Sequence, residues 1–256
     1  MVNTFLLTPI LISLLVTLLF IPSWIRKVKL IGLSWKDMNK ISNKKIAGSG
    51  GIVVVLGFLI GILVFIAYRT FILKTEIFLI EMLAMLSVVL FLAGVGFTDD
   101  IFGWQKGGLR KRHRIILTAL GAIPLIVINA GKSRVSLPFL SQIDLGLFFP
   151  LVIIPIGIVG AIFAFNNFAG FNGLEAGQGV LLLFALGIVA FFTGSSWLTI
   201  VALCMAAALL GFLFYNFKYK KLDVARPRPT DEELVDVLCW SLMPNHPHIL
   251  IQEKMD

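Results

Sequence analysis

Charge is what this sequence has least of. Asp, Glu, Lys and Arg together make up 14% of its 256 residues, against 58% that are hydrophobic, a mixture far outside that of a soluble domain. Cysteine is nearly missing too. Cys204 and Cys239 cannot build a disulfide framework, and Cys239 with His246 and His248 lacks any zinc-ligand spacing. The alternation of apolar and polar residues that marks a barrel strand is also wanting; the apolar stretches are continuous. The first of them has no basic lead and no small-residue cleavage site and is followed by Arg26 and Lys27, so a retained helix is expected rather than a signal peptide.

What is present is a series of apolar runs, most of them long enough to cross a hydrocarbon core of about 30 Å as helices: residues 5–21, 46–68, 77–98, 115–130, 147–165, 180–192 and 198–217. They predict an all-α, polytopic membrane helix bundle of about seven transmembrane helices. The sixth run is short and is expected either to tilt little or to begin inside the loop before it. Residues 218–256 are charged and hold Pro227, Pro229, Pro244 and Pro247. They read as a divergent peripheral cytoplasmic tail behind a membrane domain at 1–217.

Lys and Arg are retained on the cytoplasmic side of short loops. Fifteen of them, including Arg26, Lys45, Lys106, Arg114 and Lys221, fall on one side of the predicted bundle, against Arg69, Lys74, Lys132 and Arg134 on the other. The N-terminus is therefore expected outside and the C-terminus in the cytoplasm, with every loop of unusual composition on the cytoplasmic face.

Three features of that face can carry chemistry. Asp99 and Asp100 end the third run, where adjacent carboxylates are costly unless paired or bound to a cation. Their oxygens suit Mg2+, which takes one or two carboxylates plus substrate phosphates. The bland alternative is an acidic helix end balanced by the basic residues of 106–114, which can equally hold a diphosphate. Ala47-Gly48-Ser49-Gly50-Gly51 opens the second run and reads either as a flexible helix start or as a helix N-terminus offering N–H groups to an anion. Finally, Asn166-Asn167-Phe168-Ala169-Gly170-Phe171-Asn172-Gly173-Leu174-Glu175-Ala176-Gly177-Gln178 is polar between two apolar runs and holds neither Lys nor Arg. Its carboxamides offer both donors and acceptors, which suits a recognition loop.

Asp37-Met38-Asn39-Lys40, Asp99-Asp100-Ile101-Phe102 and the 166–178 loop together resemble the polyprenyl-phosphate N-acetylhexosamine-1-phosphate transferases of glycosyltransferase family 4. The Asn-Gly-Leu-Glu-Ala-Gly-Gln ending is most similar to the branch that uses UDP-GlcNAc and dolichyl phosphate. The resemblance implies transfer of GlcNAc-1-phosphate from UDP-GlcNAc to a polyprenyl phosphate, with release of UMP. It implies that Asp99 and Asp100 are catalytic and that Asp100 and Asn166 hold Mg2+. Asn172 would read the uracil ring, Asp37, Met38, Asn39 and Lys40 would lie near the nucleotide, and Gly50 and Gly51 beside the sugar nucleotide. Arg114 stands where that branch has a phosphate-contacting lysine, and Glu175 belongs to the substrate-binding loop. The expected partners are UDP-GlcNAc, polyprenyl or dolichyl phosphate and membrane lipid, with no nucleic acid and a homodimer left open. An archaeal-type cell membrane is favoured over an endoplasmic reticulum membrane.

The sequence also departs from the family pattern. Phe163 stands where the dolichyl branch has an asparagine, and after residue 217 the family's Gly-Asp loop and its three further spans have no counterpart. The chain is thus expected to hold the N-terminal two thirds of the family fold. An inactive homologue that binds lipid or partners without turnover is the alternative reading.

Overall fold

The computed structural model of the protein describes residues 7–36, 45–106, 108–131, 134–136, 142–168 and 173–222. In a hydrocarbon core every backbone N–H and C=O must pair internally, which a helix achieves within one segment. The described residues accordingly form α1 (Leu7–Ile31), α2 (Gly51–Ala67), α3 (Leu79–Lys106), α4 (Lys111–Gly121), α5 (Ile123–Ile128), α6 (Ile154–Phe168), α7 (Leu174–Phe192) and α8 (Ser196–Leu222). Two short antiparallel ribbons join them. β1 (Ser34–Lys36) pairs with β2 (Lys45–Ala47), Trp35 opposite Ile46, between α1 and α2. β3 (Arg134–Ser136) pairs with β4 (Gln142–Asp144), Val135 opposite Ile143, between α5 and α6.

The core lies where α1, α2 and α8 meet. Ile21 and Ile25 of α1, Phe58 and Ile62 of α2 and Cys204 and Phe212 of α8 are buried together. A membrane offers little hydrophobic drive between helices, so close backbone approach and polar contacts hold them instead. Gly57 shows why its side chain is missing: a Cβ there would strike Thr17 Oγ1 and stand 2.8 Å from the Ser13 carbonyl oxygen of α1. Ser13 in turn donates its hydroxyl to the Cys204 carbonyl at 2.7 Å, tying α1 to α8. The α7–α8 hairpin closes at Gly194, whose φ of 78° lets the Ser195 N–H reach the Ala190 carbonyl at 2.9 Å, a left-handed helix stop that favours glycine.

Five helices among the described residues are long and apolar enough to cross a membrane: Leu7–Ile31, Gly51–Ile72, Leu79–Gly103, Leu174–Phe192 and Ser196–Asn216. Two of the seven runs expected to span are not single helices of that length. The run at 115–130 is divided at Ala122 between α4 and α5, with Pro124 at the start of α5, and the apolar helix Phe149–Phe165 falls below 18 residues. Prolines stand at both places. A proline has no N–H for the preceding turn and its ring crowds that turn's carbonyl; Pro150 lies within a wide π-type turn at Phe149–Ile153, and Pro155 in the first turn of α6 that follows it. The sixth span does begin inside the preceding loop, at Leu174. At the other end α8 runs past the expected boundary at 217 to Leu222.

Candidate active site

Three helices begin, and one approaches its end, around a common space. A cavity of about 350 Å3 is lined by the start of α2 (Ser49, Gly51), the last third of α3 (Asp99, Asp100), the first turns of α4 (Arg114, Thr118) and the first turn of α7 (Glu175). The start of a helix carries unsatisfied N–H groups and the positive end of its dipole, so three of these elements favour an anion in the cavity. Away from the charged groups the wall is apolar. It follows α3 back to Val89 and α8 from Phe212 to Met205, and eleven residues of α3 at 1.5 Å each make that wall about 17 Å long.

The two neighbouring aspartates are buried, at 7% and 5% exposure, yet they are held differently. Asp99 has both oxygens occupied: Oδ1 accepts the Leu109 N–H at 2.8 Å and Oδ2 accepts Arg114 Nη2 at 2.9 Å. It thereby clamps the end of α3 to the start of α4. Asp100 accepts the Ser49 hydroxyl at Oδ2, 2.9 Å away, and among the described residues no hydrogen bond is made to its Oδ1. Of the two aspartates, the one with spare accepting capacity is therefore Asp100.

Arg114 is buried, and its guanidinium, effectively always charged, is paired with Asp99 through Nη2. Its Nε has no hydrogen-bond partner, nor has Glu175 Oε1. Both residues line the cavity, so one unsatisfied donor and one unsatisfied acceptor are buried in its wall. Such buried orphans are costly unless a ligand or water completes them.

Of the residues singled out from the sequence, the structure gathers Gly51, Asp99, Asp100, Arg114 and Glu175 on the cavity wall, with Gly50 capping α2 just before it. Asn166 lies in the last turn of α6, and its side chain is outside the described residues. Asp37, Met38, Asn39, Lys40 and Asn172 are also outside them. Sequence reasoning passed over Ser49, Thr118 and the apolar wall. A polar Ser49 set among glycines was the available signal for the first; nothing in the sequence marks the other two.

The model of the family described as glycosyl transferase family 4 matches residues 82–222. That segment includes Asp99, Asp100, Arg114 and Glu175 but neither Gly50 nor the Asp37–Lys40 stretch. Among curated proteins, the chain is 31% identical over 213 residues to the "Putative UDP-N-acetylglucosamine–dolichyl-phosphate N-acetylglucosaminephosphotransferase" of Sulfolobus acidocaldarius, covering 82% of this chain and 63% of the relative. It is 31% identical over 184 residues to the UDP-N-acetylglucosamine–dolichyl-phosphate N-acetylglucosaminephosphotransferase of Dictyostelium discoideum, covering 66% of this chain and 44% of the relative. A phospho-N-acetylmuramoyl-pentapeptide-transferase of Halalkalibacterium halodurans is 30% identical over 230 residues, 84% of this chain and 68% of that one. The chain spans less than two thirds of the length of the first two of these relatives.

Proposed function

The chain belongs to glycosyl transferase family 4, and on that premise we propose that it transfers GlcNAc-1-phosphate from UDP-GlcNAc to a polyprenyl phosphate of the dolichyl type. One observation carries the reading: a single cavity joins a charged end, made by Asp100, Arg114 and three helix N-termini, to an apolar wall along α3 and α8. A phosphate on a long hydrocarbon tail needs both at once. The tail lies along the apolar wall, in continuity with the bilayer, and the phosphate reaches the charged end.

In the proposed reaction an oxygen of the lipid phosphate attacks the β-phosphorus of the nucleotide sugar. The bond from that phosphorus to the oxygen bridging it to the α-phosphate breaks, and UMP departs. Phosphoryl transfer asks a protein for positioning and charge neutralisation more than for covalent help. Arg114 and the starts of α2, α4 and α7 face the phosphates. Asp100 and Asn166 would hold Mg2+, which when bound neutralises developing charge on the phosphate oxygens. The Asp100 oxygen without a described hydrogen bond is the hard donor such an ion takes. No three His, Cys, Asp or Glu groups cluster among the described residues, and Mg2+ sites of this kind are commonly completed by water and substrate phosphate. Asn172 and the Asp37–Lys40 stretch enter this reading as nucleotide contacts, on the resemblance alone. The cavity end of the bundle faces the cytoplasm, where the basic residues are concentrated, and an archaeal-type cell membrane is its proposed home.

The test is UMP release by membranes containing the chain, supplied with UDP-GlcNAc, polyprenyl phosphate and Mg2+. Release that stops with EDTA and with Asp100→Ala supports the reading. No release from the unmodified chain favours the alternative of a lipid-binding homologue without turnover.

A further inference from the structure

Ser49 has a backbone that does not suit it. Its φ is 57°, in the left-handed region where any side chain with a Cβ is strained and glycine is at ease. Glycines stand on both sides of it, at positions 48, 50 and 51, so the turn into α2 is built almost wholly from the residue that would suit this conformation best. Ser49 is also 1% exposed. A strained, buried, polar residue among glycines is kept for what its side chain does, and strain of this kind collects at functional sites.

The Ser49 hydroxyl donates to Asp100 Oδ2 at 2.9 Å across 51 residues of sequence. The Ser49 carbonyl meanwhile accepts the Ile52 N–H at 3.4 Å and the Gly50 carbonyl accepts the Val53 N–H at 3.0 Å, which fixes Ser49 to the first turn of α2. The start of α2 and the carboxylate near the end of α3 are thus joined through one hydroxyl, and both line the cavity.

We propose that Ser49 is a positioning residue for the transfer reaction, holding Asp100 by one oxygen so that the other is kept at a fixed place in the cavity relative to the α2 N-terminus. The inference rests on the transferase reading above. It differs from a packing role in one consequence: activity follows the hydroxyl, whereas stability follows the backbone.

Two substitutions separate these. Ser49→Gly removes the hydroxyl and relaxes the left-handed backbone. Ser49→Thr keeps the hydroxyl and places a β-branched residue at positive φ, where it is more strained than serine. With thermal midpoints measured in detergent and UMP release measured per folded protein, Ser49→Gly is expected to unfold at or above the unmodified temperature. Its kcat should fall on the order of 10–100-fold, the scale of a small misplacement of a catalytic group, with KM for UDP-GlcNAc changed less than about twofold. Ser49→Thr should unfold earlier and keep more of kcat than Ser49→Gly. Equal or higher kcat in Ser49→Gly than in Ser49→Thr overturns the inference. If the unmodified chain releases no UMP, the transferase reading itself fails and this inference goes with it, an outcome read from the control rather than from the variants.

Discussion

The Arg114 guanidinium donates to Asp99 Oδ2 at 2.9 Å, with both side chains more than nine-tenths buried. Since Leu109 N–H occupies the other Asp99 oxygen, two carboxylates adjacent in sequence have separate duties. Both line the cavity, but Asp99 is tied into the α3–α4 corner, whereas Asp100 keeps one oxygen free of any hydrogen bond among the described residues.

Substitution should expose that division. Removing one partner of a buried pair strands the other charge at a cost of about 3–5 kcal/mol, so Asp99→Asn is expected to lower the thermal midpoint strongly. Asp100→Asn, which keeps an acceptor for Ser49, should unfold near the unmodified temperature and release no UMP. Pairing Asp99→Asn with Arg114→Met should recover much of the lost stability, because an apolar replacement leaves no stranded charge. Thermal unfolding of the unmodified chain, Asp99→Asn, Arg114→Met and the double variant in one detergent gives the cycle. Additive losses in the double variant would show that the two side chains do not act as a pair.

Glu175 offers a second contrast. Its Oε1 is buried without a partner at the cavity wall, so the protein alone gains nothing from the charge there. Glu175→Gln keeps the shape and is expected to leave stability unchanged or raise it. If the carboxylate accepts a hydrogen bond from the nucleotide sugar, KM for UDP-GlcNAc should rise about tenfold, the scale of losing one charge-assisted hydrogen bond. An unchanged KM removes Glu175 from the substrate contacts.

The helix seam between α1 and α2 can be tested away from the site. A Cβ at Gly57 would meet Thr17 and the Ser13 backbone, whereas one at Gly94 of α3 would meet nothing within 4 Å. Overpacking of this kind costs about 1–3 kcal/mol, so Gly57→Ala should unfold well below the unmodified chain. Gly94→Ala should match it or gain up to about 1 kcal/mol from helix propensity. Equal behaviour of the two would mean that α1 and α2 do not approach closely at Gly57.

Much of this was readable from sequence, for definite reasons. Span length and apolarity are sums over many residues, so α1, α2, α3, α7 and α8 follow from the runs themselves. The breaks at Pro124 and Pro155 were hidden because hydropathy treats proline as a mild residue and ignores its missing N–H. Asp99 and Asp100 stand out because adjacent carboxylates ending an apolar run are costly unless paired or bound to a cation. Which of them keeps an unoccupied oxygen is not legible in the sequence, since it depends on Arg114 folding back from fifteen residues away. Ser49 is not legible for a related reason: its partner lies 51 residues distant, and a serine among glycines reads locally as part of a flexible turn.

The two broken segments leave the number of crossings to be decided, and side-chain contacts point one way. Arg114 meets Asp99 near the end of α3, and seven residues later a Cβ at Gly121 would touch Phe91 and Leu92, eight and seven residues earlier on α3. α4 therefore runs back along α3, antiparallel to it, and α5 continues the path. The eighteen residues 111–128 rise about 27 Å as helix, close to a hydrocarbon core of about 30 Å. The pair α4–α5 is expected to cross, broken though it is, and α6 to return. In a background with Cys239→Ser, where the remaining Cys204 is buried, single cysteines at His113, Gly131 and Ser195 can be probed in sealed vesicles with an impermeant maleimide. His113→Cys should react only from the cytoplasmic face, and Gly131→Cys and Ser195→Cys only from the opposite one. Reaction of Gly131→Cys on the same side as His113→Cys would make α4, α5 and α6 a re-entrant excursion and leave five crossings. Reaction of Ser195→Cys on that side would reverse the direction of α7 and separate Glu175 from Asp100, and the shared cavity would be lost with it.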